Sequence, residues 1–129
     1  MTLREIREIL DADFIVGQDQ MDIEIRTAFA ADLMSDVLAF AKPGALLLTG
    51  LTNPQVVRTS DILDIAATML VRGKIPPPET IRLAQELSIP ILSTRFILFE
   101  ASGRLHAKGI VGCIERVDGN KADEHRINI

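Results

Sequence analysis

Ala45-Leu46-Leu47-Leu48-Thr49-Gly50 is an aliphatic run that ends in a hydroxyl and a glycine. Two related runs follow, Thr68-Met69-Leu70-Val71-Arg72-Gly73 and Ile89-Pro90-Ile91-Leu92-Ser93-Thr94-Arg95, at a spacing of about 22 residues. Unbroken apolar runs of this length suit strands covered on both faces, the habit of a parallel sheet. Each run passes through a polar turn into a helical pattern, and such short connections make right-handed crossovers the default. All three strand ends then lie on one edge of the sheet. In open parallel sheets that edge is the usual seat of anions and nucleotides. The fold class expected is α/β, a three-layer α/β/α sandwich with a mainly parallel sheet.

On the N-terminal side, Thr2 and Glu5 have the spacing of a capping box, and Leu3, Ile6, Ile9 and Leu10 share one helical face. A strand is expected at Phe14-Ile15-Val16, then a turn at Gly17-Gln18-Asp19-Gln20. Met21, Ile23 and Ile25 alternate with Asp22, Glu24 and Arg26, the pattern of a strand with one wet face, at a sheet edge or a dimer surface. Asp32 is placed to cap a helix that turns Leu33, Met34, Val37, Leu38 and Ala41 inward, and Lys42-Pro43-Gly44 ends it.

On the C-terminal side of the first run, Asn53-Pro54 reads as an N-cap followed by proline at the first helical position. Val56, Thr59, Ser60 and Leu63 then form a face of small residues suited to close packing on the sheet. Pro76-Pro77-Pro78 opens another helix, with Ile81, Ala84 and Leu87 on its inner face. A last helix buries Ile97, Leu98, Ala101 and Leu105. From Gly109 the periodicity fades, so residues 1–112 are read as one domain and 113–129 as an exposed or disordered tail.

A chain of 129 residues with 47% hydrophobic content is one folded domain by length and composition. Trp and Tyr are absent and Phe occurs five times, so the core is aliphatic and stacking platforms for nucleic-acid bases are scarce. A net charge of −4 and the lack of a basic stripe argue against binding of a nucleic-acid backbone. The single cysteine, Cys113, rules out an internal disulfide and a cysteine-rich zinc site. No apolar run reaches the length of a membrane span. The expectation is a cytoplasmic protein, without membrane or nucleic-acid partners.

Four stretches together resemble the DRTGG domain family. They are Leu46-Leu47-Leu48-Thr49-Gly50-Leu51-Thr52, Val71-Arg72-Gly73-Lys74, Leu87-Ser88-Ile89-Pro90-Ile91-Leu92-Ser93-Thr94 and Phe99-Glu100-Ala101-Ser102-Gly103-Arg104-Leu105. Their order and spacing, over roughly residues 1–112, carry the resemblance. It implies an α/β sandwich similar to the N-terminal, non-catalytic domain of HPr kinase/phosphorylase. Such domains occur as regulatory parts of phosphotransacetylases and of pyrophosphatases with CBS domains, or as free-standing small proteins, and they tend to self-associate. The eponymous signature is altered here. Its Asp-Arg pair falls near Leu51-Thr52, and its Thr-Gly-Gly near Arg72-Gly73-Lys74, where Gly73 alone fits.

The site residues expected at the shared edge are Thr49, Gly50, Asn53, Arg72, Gly73, Ser93 and Thr94. Backbone N–H groups and hydroxyls at Thr49-Gly50-Leu51-Thr52-Asn53 can meet a phosphate, or Gly50 and Asn53 can simply make the turn and the cap. Arg72, Lys74 and Arg95 can neutralise phosphate charge, or they can stand as solvated loop charges. Neither G-x-x-x-x-G-K-[ST] nor G-x-G-x-x-G occurs. Asp32, Ser35 and Asp36 read as a cap and a first helical turn. Glu100 and Arg104 have the spacing of a helical ion pair. His106 and His125 lack a metal-ligand pattern, and Cys113 is read as a packed or partly exposed thiol, ahead of the alternative of a catalytic pair with His106.

The functional expectation is a small regulatory module, not an enzyme. It has no resident cofactor or metal, binds an anionic metabolite or nucleotide at the strand-end edge, and forms a homodimer. The competing expectation is a homo-oligomerising scaffold or partner-interaction module without a small-molecule ligand.

Overall fold

The computed structural model describes residues 1–118. In chain order the elements are α1 (Leu3–Ile9), β1 (Asp13–Val16), β2 (Thr27–Ala30), α2 (Met34–Phe40), β3 (Leu46–Thr49), α3 (Pro54–Ile62), β4 (Ala67–Leu70), α4 (Pro78–Leu87), β5 (Ile91–Ser93), α5 (Leu98–Ala107) and β6 (Val111–Gly112). The strands form one sheet in the order β1-β5-β4-β3-β2-β6. Every neighbouring pair is parallel except β1 with β5.

The three aliphatic runs occupy the middle of this sheet, as their double-sided hydrophobicity requires. Alternate residues feed opposite layers. Leu46, Leu48, Ala67, Met69 and Leu92 pack with Leu3, Ile6 and Leu10 from α1 and with Ala101 and Leu105 from α5. Ala45 and Leu47 meet Val37 of α2 and Val56 of α3, while Leu70 and Ile91 meet Val57 of α3 and Ala84 of α4. The result is the expected α/β/α sandwich. Pairing of Thr49 with Leu70, and of Leu70 with Ser93, sets the three strand ends side by side.

Local signals act where they were placed. Thr2 and Glu5 form a reciprocal capping box on α1. Pro54 opens α3, whose Thr59 and Ser60 are buried. The Ser60 hydroxyl donates to the Val56 carbonyl at 2.8 Å and lies 3.4 Å from the Thr68 hydroxyl, so a polar seam inside the layer is satisfied.

Three expectations need correction. Met21–Arg26 is not a sheet strand: its backbone meets Met1, Leu3 and Arg4 at the entrance to α1, with a single bridge from Thr2 to Glu24. The alternation is real, because an extended segment lies under α1, but Ile25 is 1% exposed core and offers no dimer surface. The pairing strand is β2, just downstream, whose Thr-Ala-Phe-Ala composition hides it. Secondly, Asp32 does not cap α2; Leu33 holds that position without a side-chain bond. Thirdly, Leu33, Leu38, Leu87 and Ile97 are exposed, since the short helices bury a narrower stripe than the sequence pattern suggests. Within the domain bounds 1–112, Val111 and Gly112 add β6 beside β2. The remainder of the expected tail, residues 119–129, lies outside the described residues.

Because Ile25 is a core residue, Ile25→Ala should lower unfolding free energy by about 2–5 kcal/mol in urea titrations. A loss below about 0.5 kcal/mol, the range of surface changes, would return this segment to the surface.

Candidate functional site

The edge formed by the ends of β3, β4 and β5 carries all seven residues singled out in the sequence, in two adjoining groups. After β3, the Thr49 hydroxyl donates to Asp32 Oδ1 at 3.1 Å and the Gly50 N–H donates to the same oxygen at 2.7 Å. Leu51 N–H donates back to the Thr49 hydroxyl at 3.1 Å. Asn53 stands exposed at the start of α3, and its side chain makes no capping hydrogen bond.

After β5, the Ser93 hydroxyl donates to the Lys74 carbonyl at 2.7 Å. The Thr94 hydroxyl donates to the Leu10 carbonyl at 2.6 Å and accepts from Phe96 N–H at 3.3 Å. These buried hydroxyls tie the turn after β4 and the end of α1 to the edge. Their protons are committed within the protein, so their contribution to binding is to fix loop shape. Gly73, Ser93 and Thr94 line a cavity of about 620 Å³ together with Asp11, Asp13 and Arg95.

Arg72 joins the two groups. Its backbone belongs to the β5 side, with Arg72 N–H donating to Phe96 O at 2.9 Å and Gly73 N–H to Thr94 O at 2.8 Å. Its side chain belongs to the β3 side: a Cβ added at Gly50 would collide with Arg72 Nη2 and lie 3.1 Å from its Cζ. The guanidinium thus lies across Gly50, whose own φ is not in the left-handed region. Arg72 itself has φ +62°, a left-handed conformation that costs a side-chain-bearing residue roughly 1–2 kcal/mol. None of the ion pairs among the described residues involves it.

The electrostatics of the edge are of mixed sign. Arg72, Lys74 and Arg95 share this edge with Asp11, Asp13 and Asp32, all exposed. Asp32 is the residue the sequence reading missed, because Asp before a helical pattern signals a cap whichever role it takes. Among the described residues no cluster of three or more His, Cys, Asp or Glu could hold a metal ion. Cys113 turns its thiol toward the Phe40 carbonyl at 3.8 Å. Glu100 and Arg104 pair at 3.1 Å, and Arg104 also stacks on Phe96, 4.1 Å from the ring centre.

A family model described as DRTGG domain matches residues 5–107. The chain belongs to the DRTGG domain family. Its DRTGG fold is shared with the CBS and DRTGG domains of the regulatory region of Clostridium perfringens pyrophosphatase, solved with the activator diadenosine tetraphosphate. That crystal structure matches with a TM-score of 0.69 at 16% identity, over 98% of this chain. The match covers 58% of the pyrophosphatase chain, so this DRTGG protein spans well under two thirds of that length. No curated protein matches the sequence. No helix among the described residues is long and apolar enough to cross a membrane.

The left-handed backbone at Arg72 makes one stability prediction. Arg72→Gly should raise unfolding free energy by about 1 kcal/mol, seen as a higher urea midpoint. An unchanged or lower midpoint would show that the backbone there is unstrained.

Proposed function

We propose that the protein is a non-catalytic regulatory module that binds an anionic metabolite, a nucleotide by preference, at the C-terminal edge of its sheet. The observation that carries this reading is Arg72: an exposed guanidinium without an ion-pair partner among the described residues, lying over Gly50 at the strand-end edge. The planar fork of arginine suits bidentate phosphate recognition.

The remaining residues take supporting roles. Gly50 leaves room for the guanidinium, Asn53 offers a side-chain amide, and Gly73 admits ligand close to the turn. Thr49, Ser93 and Thr94 hold the walls. Asp32 and Asp13 give acceptors beside the cations, which suits a ligand with phosphates and hydroxyls over a bare anion. Binding would regulate by favouring one conformational or assembly state, which requires different affinity for two states. The regulatory setting of the pyrophosphatase domains, and their nucleotide activator, support the reading by analogy.

Thermal-shift and calorimetric titrations with adenosine mono-, di- and triphosphates, and with inorganic phosphate as reference, test it. A nucleotide should give saturable stabilisation, and Arg72→Ala should weaken it about tenfold, the scale of one charge-assisted hydrogen bond. No response to any nucleotide, or a response that Arg72→Ala leaves intact, would refute the site.

A further inference from the structure

Ala12 is buried in the same core layer as Leu10 and Leu92. Its two neighbours, Asp11 and Asp13, are exposed, and both line the cavity of about 620 Å³ beside β5, together with Arg95. The chain that carries them is tied down on either side. Asp13 pairs with Ser93 between β1 and β5, and the Thr94 hydroxyl donates to the carbonyl of Leu10 at 2.6 Å. Two carboxylates are thereby presented to one cavity from a fixed stretch of backbone. None of the ion pairs among the described residues involves Asp11, Asp13 or Arg95.

The rest of the cavity differs in chemistry. Leu10, Ile75 and Phe96 give it apolar surface. Its volume falls within the roughly 300–1,000 Å³ of small-molecule sites. Gly73, next to Arg72 in the chain, leaves its part of the lining bare: a Cβ built there would meet nothing nearer than Arg95 Cγ at 4.0 Å.

We propose, resting on the nucleotide reading of this edge, that the cavity takes the ribonucleoside of the ligand, with Asp11 and Asp13 accepting from the ribose 2′ and 3′ hydroxyls. The phosphates then run over Gly73 toward Arg72, and the protein selects ribonucleotides over deoxyribonucleotides. A bare anion gives no reason for two carboxylates at its site, whereas an ionised carboxylate only accepts and a vicinal diol supplies two donors. In dinucleotide-binding folds an acidic side chain likewise takes the ribose 2′ hydroxyl. The apolar lining suits the faces of sugar and base.

Ribo- and deoxynucleotides carry the same charge, so the ratio of their affinities isolates the sugar contact from the repulsion that two carboxylates exert on any polyanion. Calorimetric titration of the full chain with adenosine and guanosine triphosphates and their 2′-deoxy forms, in buffer with EDTA, measures that ratio. A ribonucleotide should bind about tenfold more tightly than its deoxy form, the scale of one hydrogen bond to a charged group. In an Asp11→Gly, Asp13→Ala double variant the preference should vanish, while deoxynucleotide affinity is kept or raised. Glycine accommodates the left-handed φ of +46° at position 11, and circular dichroism checks the fold.

Equal affinity of the wild-type protein for both sugars, with Arg72→Ala weakening both, would overturn the sugar assignment and leave the Arg72 site standing. A preference that survives in the double variant would overturn it as well. So would a preference that appears only when magnesium replaces EDTA, which would assign the carboxylates to a phosphate-bound metal. Failure of every nucleotide to bind, with or without magnesium, would remove the nucleotide reading itself and the sugar assignment with it.

Discussion

Leu46, Leu47 and Leu48 are each at most 1% exposed, although consecutive residues of a strand point to opposite faces. Helices on both faces are needed to shield such a run, and a parallel strand order with helical crossovers supplies them. The same constraint acts on Ala67–Leu70 and Ile91–Ser93, every residue of which is buried. Fixing β3, β4 and β5 side by side in this way brings their outgoing turns together. The edge is thus a consequence of core burial, available for function at no separate structural cost.

How that edge is finished reveals a division of labour. Hydroxyls of Thr49, Ser93 and Thr94 close hydrogen bonds within the protein, which removes buried unsatisfied groups that would each cost about 1–3 kcal/mol. Arg72 departs from this pattern in its backbone, as one of four non-glycine residues with positive φ beside Asp11, Asp64 and Ser88. Its left-handed φ opposes stability, and its guanidinium spends its contact on a glycine.

The sequence carried the layer architecture because hydrophobic periodicity and proline or glycine punctuation report burial directly. The runs at Leu46, Met69 and Ile91, the capping box at Thr2 and the proline at Pro54 all worked through local chemistry. Failures occurred where one local pattern serves two tertiary purposes. Period-two alternation at Met21–Arg26 marks an extended chain with one buried side, and sheet pairing is not needed to produce it. An aspartate before a helix can cap it or, as Asp32 does, bind the end of a strand that follows in sequence. β2 and β6 were obscure because a Thr-Ala-Phe-Ala strand and a two-residue edge strand carry little pattern. The edge residues could be grouped from strand order alone, but the crossing of Arg72 over Gly50 is a long-range rotamer with no sequence signature.

Two surfaces remain outside the satisfied core, the mixed-charge edge at Arg72 and the apolar face of α5. They lie on different parts of the molecule. The edge is the centre of the functional reading, and backbone amide NMR during titration with adenosine triphosphate examines it residue by residue. Saturable shifts concentrated at Gly50, Leu51, Asn53, Arg72, Gly73 and Arg95 are predicted. A spectrum that does not respond, or one that changes along α5 while these amides stay fixed, would contradict it.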